Sequence, residues 1–415
     1  MSPVPAPEST GIHRDGMTVA FYATFVVWGW LLYSFNPSVP LLADELGVSA
    51  AQAGLHGTAM AVGAIIASFG TPWLVRSRGR RDAIIIASVL VMVGAFGLAV
   101  APALGWSLAA MVAASLGGNV SMSSAQAGLA VQHGTKASAA VTEGNGVGSS
   151  IGLLGPLAVG ACVALGWGWR PAVAVTAVLA LATAIVVARI PVGGAMTPPQ
   201  PDGPVAAAPA AAPRSGTSPA ARIFVVALVA AVSIEFATTY WATGLVIEQT
   251  GAGPGIAAAT TAGLVAGMSA IRFVVGPLSL RVAPFSLLAI AFLVAIGGWA
   301  ILWTATSPTV AIVGLVVAGI GYGAQYPLSI SLLLGTAPGR VDAMQARATL
   351  VGGLAIGISP FALGALSDAV GTHRAFLVVP AVALVGAVAA VLGGRASRRG
   401  QEPVAELEVG VAAGR

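Results

Sequence analysis

Three ionisable side chains, Glu143, Glu235 and Arg272, lie inside long apolar stretches of the chain. Placing a charged group in hydrocarbon is costly, so each should face a water-filled cavity or a partner of opposite charge. A carboxyl group in such surroundings favours its neutral form and can bind and release a proton. These three residues are therefore the candidates for binding a proton or a polar small molecule.

Polar side chains are concentrated in four of the same stretches. Tyr322 and Tyr326 are four residues apart, which places them on one face of a helix. The segment 119–126 holds an asparagine, three serines and a glutamine, which is dense for an apolar region. We expect a polar cavity lined by Asn36, Asn119, Ser123, Thr239, Trp241, Tyr322, Gln325 and Tyr326.

Neither a cofactor nor a metal is expected. The single cysteine, Cys162, excludes a disulfide framework and a thiolate zinc site. The four histidines fall in tails or at the ends of apolar stretches, where we expect water to reach them: His13, His56, His133 and His373. The phosphate-binding pattern G-x-x-x-x-G-K-[ST] of ATP-driven pumps does not occur.

The composition places these residues in a membrane protein. Hydrophobic residues make up 57% of the 415-residue chain and charged residues only 8%, with a mean hydropathy of +0.91. A soluble domain carries about 25% charged residues. A membrane-spanning helix needs about 20 mostly apolar residues. Twelve such segments are predicted, at 17–36, 54–75, 83–103, 107–131, 139–165, 171–189, 223–247, 257–279, 284–304, 307–334, 344–366 and 373–393.

The basic residues orient these spans. With the N-terminus inside, sixteen of the 19 lysines and arginines fall in predicted cytoplasmic segments, and only Arg170 and Arg374 fall in outer loops. Such a bias predicts an inner (plasma) membrane protein with both termini in the cytoplasm. The high isoelectric point of about 10.0 then reflects topology, and no nucleic-acid partner is expected.

A Pro/Ala-rich stretch, 191–222, divides the chain and is typical of an extended linker. It separates two predicted six-helix bundles, 17–190 and 223–393, with cytoplasmic tails at 1–16 and 394–415. The halves resemble each other, since GPLAVGA at 155–161 matches SPFALGA at 359–365 and Gly117 matches Gly321, both at an offset of 204. The predicted fold is an all-α membrane protein of twelve helices in two pseudo-symmetric bundles.

Two bundles joined by a cytoplasmic linker resemble the major facilitator superfamily. The loop PWLVRSRGRR (72–81) is similar to the family signature G-x-L-A-D-R-x-G-R-R through Leu74 and the conformational-loop residues Gly79, Arg80 and Arg81. It departs from the signature at Pro72 and Arg76, which replace the first glycine and the aspartate. Span 5 also resembles the Gly-Pro motif of the family's drug/proton antiporters, although Ala113 replaces the arginine usual in their span 4.

The resemblance implies a monomeric secondary transporter of a small molecule that works by alternating access, without catalysis. In the family, spans 5 and 8 face each other, so we expect Glu143 and Arg272 to pair when the cytoplasmic side is closed. Glu235 lies near the membrane midplane and is the leading candidate for proton coupling or for binding a cationic substrate. The alternatives are a drug or metabolite efflux antiporter and, from another class, a polytopic sensor or an intramembrane lipid-handling enzyme.

Overall fold

The computed structural model describes residues 14–197, 218–279, 281–336 and 341–413. All regular secondary structure in these ranges is helical. In the first half the α-helices are α1 (Gly16–Phe35), α2 (Val39–Leu46), α3 (Ala50–Ala99), α4 (Leu104–His133), α5 (Ala137–Gly152), α6 (Leu154–Ala164) and α7 (Arg170–Arg189). In the second half they are α8 (Pro219–Thr250), α9 (Pro254–Ser279), α10 (Pro284–Trp303), α11 (Pro308–Gly335), α12 (Val341–Val370), α13 (Thr372–Ala375) and α14 (Val378–Ala413).

The prediction of twelve membrane crossings agrees with these helices. Ten helical stretches of the described residues are long and apolar enough to span a bilayer. One of them, α3, has 50 residues and is about 75 Å long, enough for two crossings. A further crossing is α4, whose 30 residues include no acidic residue, lysine or arginine but whose polar run lowers its hydropathy. The predicted linker is only partly described, because residues 198–217 lie outside the described ranges.

The two crossings within α3 are separated by a single residue. Gly79 has φ 84° and ψ 167°, a conformation essentially restricted to glycine, and helical residues flank it on both sides. The predicted loop 76–82 is therefore a break of one residue. A glycine at this position lets the chain reverse direction without a longer connection.

Two predicted spans are irregular where proline intervenes. Span 1 does not end at Asn36 but continues through a 3₁₀ turn at Asn36–Ser38 into α2. Span 5 is interrupted at Leu153, between α5 and α6. Pro156 follows this interruption, and its ring nitrogen cannot donate a hydrogen bond to the preceding turn.

The internal repeat is visible in the packing of glycines. A Cβ atom on Gly94 would collide with the backbone of Ala114, and one on Gly298 would collide with Ala318 in the same way, 204 residues later. The same offset relates the contacts of Gly117 with Val91 to those of Gly321 with Ala295, and those of Gly63 with Leu116 to those of Gly267 with Ile320. Small residues at matching positions thus set the same close helix approach in both halves.

Candidate functional site

The two ends of the bundle differ in charge. One end, here called the arginine-rich side, carries Arg14, Arg80 and Arg81. The other end, here called the opposite side, carries Glu45 and Asp368. The positive charge of the arginine-rich side is what predicts it to be cytoplasmic.

The two halves are sealed against each other at the opposite side. There α3 packs on α12 and α6 packs on α9. Gly54 contacts the backbone of Pro360 and Phe361, and Gly160 contacts Gly255, so closely that an added Cβ would collide. Asp368, near the end of α12, accepts hydrogen bonds from the backbone N–H groups of Ala50 and Ala51, each at 2.8 Å. A carboxylate of one half therefore caps a helix of the other.

At the arginine-rich side the halves are apart. A cleft of about 640 Å³ opens between α5 and α9. It is lined by Ala139, Thr142, Glu143, Gly146, Val147, Ser150, Ile151 and Phe273. Phe273 of α9 is 70% exposed, and the tip of its ring lies close to Gly146 of α5. The interior is thus open toward the arginine-rich side and closed toward the opposite side.

Glu235 lies halfway along α8, partly buried, at the centre of a cluster of polar residues. The Arg272 guanidinium lies within electrostatic range of the Glu235 carboxylate and of the Tyr33 hydroxyl. Tyr322 and Tyr326 lie within electrostatic range of the same carboxylate. These five residues are called the central cluster below. It joins residues of both halves, since Tyr33 belongs to α1 and the other four to α8, α9 and α11.

Hydrogen bonds connect this cluster to its surroundings. The Thr238 and Tyr322 hydroxyls are 2.9 Å apart, and the Asn36 side-chain amide donates to the Thr239 hydroxyl across the halves at 3.3 Å. Asn36 and Thr239 also line a narrow pocket together with Tyr33, Pro37, Pro156, Thr261, Leu264 and Val265. The Asn36 side-chain oxygen, Oδ1, is buried and accepts no hydrogen bond from the described residues.

The other predicted lining residues differ in exposure. Trp241 is buried and donates to the Pro360 carbonyl at 2.8 Å, and Gln325 is buried and donates to the Ala291 carbonyl at 3.3 Å. Asn119 is partly buried and bonds back to Ser115 within its own helix. Ser123 and Tyr326 are exposed. In this conformation Trp241 and Gln325 act as helix–helix contacts rather than as open cavity wall.

Glu143 is paired with Arg14 in this structure. The Arg14 Nε and Nη2 atoms donate to the two carboxylate oxygens at 2.5 and 3.1 Å. This hydrogen bond and the Glu143 charge raise the pKa of the Arg14 guanidinium, which lies before α1. The predicted Glu143–Arg272 pair concerned the state in which the arginine-rich side is closed. The present conformation is open there, so that pair stays a prediction.

Two of the predicted loop residues donate to the end of α7 and to the 3₁₀ turn that follows it. Arg81 donates to the carbonyls of Ala188 and Ile190, at the end of α7, the latter at 3.0 Å. Arg80 donates to the Ala195 carbonyl at 3.1 Å. The last carbonyls of a helix lack intrahelical partners and carry partial negative charge, so a guanidinium group stabilises them. These arginines thus fix the α3 break against the end of the first bundle.

The expectation that the histidines are solvated is wrong for His56. Its side chain is fully buried between α3 and α4, where its two ring nitrogens lie 2.8 Å from the Ala53 carbonyl and 3.0 Å from the Ser107 hydroxyl. Its ring also packs on Phe35, with centroids 5.2 Å apart. His56 lies near the start of a span, but the span is packed inside the bundle at that level, which sequence position alone does not reveal.

Sequence reasoning missed two contacts, the one between Asp368 and the start of α3 and the one between Arg14 and Glu143. An acidic residue next to a span end, such as Asp368, was a usable signal, but its partners lie more than 300 residues away. Among the described residues, no group of three or more histidine, cysteine, aspartate or glutamate side chains is placed to hold a metal ion.

The fold resembles known transporters. A bacterial homologue of the human lysosomal transporter Spinster, in an inward-facing and occupied conformation, superposes with a TM-score of 0.75 at 15% identity over 93% of this chain and 98% of its own. A D-xylose–proton symporter gives 0.75 at 15% identity, covering 91% and 96%. A fucose transporter in the outward conformation gives 0.60 at 18% identity, covering 91% and 99%.

These similarities in structure agree with the match between the sequence and a family model. Among individual curated proteins, none matches the chain in sequence. The family model of the Major Facilitator Superfamily matches residues 17–307 and 223–413. The sequence resemblance is thereby confirmed, and this multi-pass membrane protein belongs to the major facilitator superfamily.

Proposed function

We propose that this protein is a proton-coupled secondary transporter that carries a small molecule across the inner membrane by alternating access. The observation that carries the proposal is the central cluster, in which Glu235, Arg272 and Tyr33 lie within electrostatic range of one another between a sealed side and an open cleft. A site near the midplane can be exposed to one side at a time as the halves rock around it. Among the structural relatives, the D-xylose and fucose proteins are named as proton symporters.

The proximity of Arg272 to Glu235 suggests how proton and substrate are coupled. When the carboxylate is ionised, it attracts the guanidinium. When Glu235 binds a proton, that attraction is lost and the guanidinium can bind an acceptor oxygen of a substrate. Proton binding and substrate binding then favour each other through a shared group, which is reciprocal coupling between two sites.

Tyr33 links this step to the movement of the halves. Its hydroxyl lies in the N-terminal half and Arg272 in the C-terminal half. A change in the position of the guanidinium therefore alters a contact between the halves. The Asn36–Thr239 hydrogen bond, which also crosses the halves, would move with it.

The test begins with a thermal-shift screen of purified protein against sugars, organic acids, amines and drugs, because a bound ligand stabilises the folded state. The ligand found is then used in proteoliposomes with an imposed pH gradient. Glu235→Gln imitates the protonated form and should abolish accumulation driven by the gradient while exchange of substrate continues. Glu45→Gln, a carboxylate outside the central cluster, is the control and should keep gradient-driven uptake. Concentrative uptake by Glu235→Gln on a proton gradient would refute the assignment.

A further inference from the structure

At the opposite side, the two halves differ in the surroundings of one arginine, and comparing positions 204 residues apart shows this difference. In the N-terminal half, Arg170 occupies a site at the C-terminal end of the α3 helix. Its guanidinium donates to the carbonyls of Ala99 and Ala101 at 2.9 and 2.8 Å, and to the Glu45 carboxylate at 2.8 Å. Trp169 lies beside it, with its ring centroid 5.1 Å from the guanidinium carbon.

The equivalent positions in the C-terminal half, 204 residues later, surround a pocket. Glu45 corresponds to Gln249, Ala99 to Trp303, Ala101 to Ala305 and Trp169 to His373. All four of these counterparts line a cavity of about 360 Å³, together with Glu248, Thr304 and Thr306. The counterpart of Arg170 is Arg374, which is exposed and does not belong to the lining.

The two arginines differ because they belong to helices of different length and have different neighbours. Arg170 is the first residue of the long helix α7, whereas Arg374 lies within the four-residue helix α13. His373 stacks on Trp303 with ring centroids 4.4 Å apart, and its Nε2 lies 3.0 Å from the Trp303 carbonyl oxygen. The short helix and this stacking hold the Arg374 side chain away from the end of α10.

The pocket presents acceptors suited to a cation. The Gln249 side-chain nitrogen donates a hydrogen bond to the Trp303 carbonyl. This bond fixes the orientation of the amide and leaves its oxygen available as an acceptor. That oxygen is buried and has no hydrogen-bond partner among the described residues. Glu248 adds a carboxylate, whose Oε1 lies close to Gly371 in the turn between α12 and α13. The C-terminal end of α10 contributes the partial negative charge that favours cations at helix ends.

We infer that this pocket binds a small organic cation of the guanidinium or ammonium type, in the place where the first half holds its own Arg170. The site lies at the opposite side of the C-terminal half and is separate from the central cluster. His373 and Arg374 are the basic groups beside it, so the ligand must be small enough to contact Glu248 and Gln249 without meeting the Arg374 guanidinium. The inference depends on the geometry of the repeat and not on the proposed direction or substrate of transport.

The probe is methylguanidinium chloride, titrated into purified full-length protein against sodium chloride of equal ionic strength and followed by calorimetry and thermal shift. We expect saturable binding to the wild type. Because the Glu248 side chain is exposed, Glu248→Gln should weaken the affinity about two- to fivefold. Glu45→Gln removes the carboxylate that pairs with Arg170 in the first half. It is the control and should leave the affinity for methylguanidinium unchanged.

A repeat-swap variant tests the origin of the site. Gln249→Glu combined with His373→Trp restores the carboxylate and the indole ring that contact Arg170 in the first half. Arg374 should therefore enter the pocket, raise the melting temperature and exclude methylguanidinium. If the double variant does not fold, Glu248→Gln still tests the inference. The Glu248 side chain is exposed, so this substitution should not prevent folding. Absence of saturable binding to the wild type would overturn the inference. So would binding that is unaffected by Glu248→Gln but lost in Glu235→Gln, since the ligand would then occupy the central cluster.

Discussion

The carboxylate of Asp368 should act as a latch on the opposite side. It accepts two backbone hydrogen bonds at 2.8 Å from the start of α3. These bonds join the two halves, so they can exist only while that side is closed. Asp368→Ala should therefore shift the equilibrium toward the conformation that is open there.

The size of the shift follows from the contact. Removing a side-chain cap from a helix N-terminus costs roughly 0.5–2 kcal/mol, and a charge at that end contributes about 0.3–1 kcal/mol. Since the contact is exposed to solvent, we take about 1.5 kcal/mol for the whole interaction. That value changes the ratio of the two conformations about tenfold. Asp368→Asn keeps one acceptor oxygen and should give a smaller shift in the same direction.

The assay is the labelling rate of a cysteine placed at position 261 in a Cys162→Ala background. Thr261 is 3% exposed and lies in the narrow pocket between the halves, so a cysteine there is shielded while the opposite side is sealed. When opening is fast, the labelling rate follows the open fraction and should rise about tenfold in Asp368→Ala. Glu45→Gln is the control, because the Glu45–Arg170 pair lies within one half. It should lower stability without changing the labelling rate. An unchanged rate in Asp368→Ala, or an equal rise in the control, would refute the latch.

Three further outcomes are expected. Glu143→Gln and Arg272→Gln should each impair transport. The double variant should lose less activity than the sum of the two single losses, because the two side chains pair when the arginine-rich side closes. Fully additive losses would argue against the pair. Gly79→Ala should lower the free energy of unfolding by about 1–3 kcal/mol because of its positive φ, measured by chemical denaturation, whereas Gly70→Ala, where a Cβ would meet nothing within 4 Å, should not. A cysteine at Gly203 should resist a membrane-impermeant reagent in intact cells if the predicted linker is cytoplasmic, and labelling without lysis would contradict that topology.

Composition and repeat were sufficient to predict the fold class. Hydrocarbon excludes unpaired backbone groups, so long apolar stretches with few charges can only be spanning helices. Residues 204 positions apart make equivalent helix contacts in the two halves, because glycines at matching positions allow the same close approach, as Gly94 and Gly298 do. Span 1 was predicted too short, since Pro37 is tolerated in the first turn of a new helical segment and did not end the path through the membrane.

The sequence by itself also predicts which residues carry the candidate site. Glu143, Glu235 and Arg272 stand out because charge in an apolar span is costly, and that cost is a property of the residue and its neighbours in the chain. The depth of Glu235 followed from the constant rise of a helix, and it lies halfway along α8.

Only the tertiary structure decided the partners of these residues. Rise along a helix fixes depth, but the neighbour that a side chain meets depends on how each helix is rotated and how far the halves are apart. Glu143 thus meets Arg14 beside an open cleft, while Arg272 lies within electrostatic range of Tyr33 and Glu235. For the same reason Asp368 caps a helix that begins more than 300 residues earlier in the chain. Such contacts depend on the packing of distant segments and on the conformation of the molecule, and local sequence encodes neither.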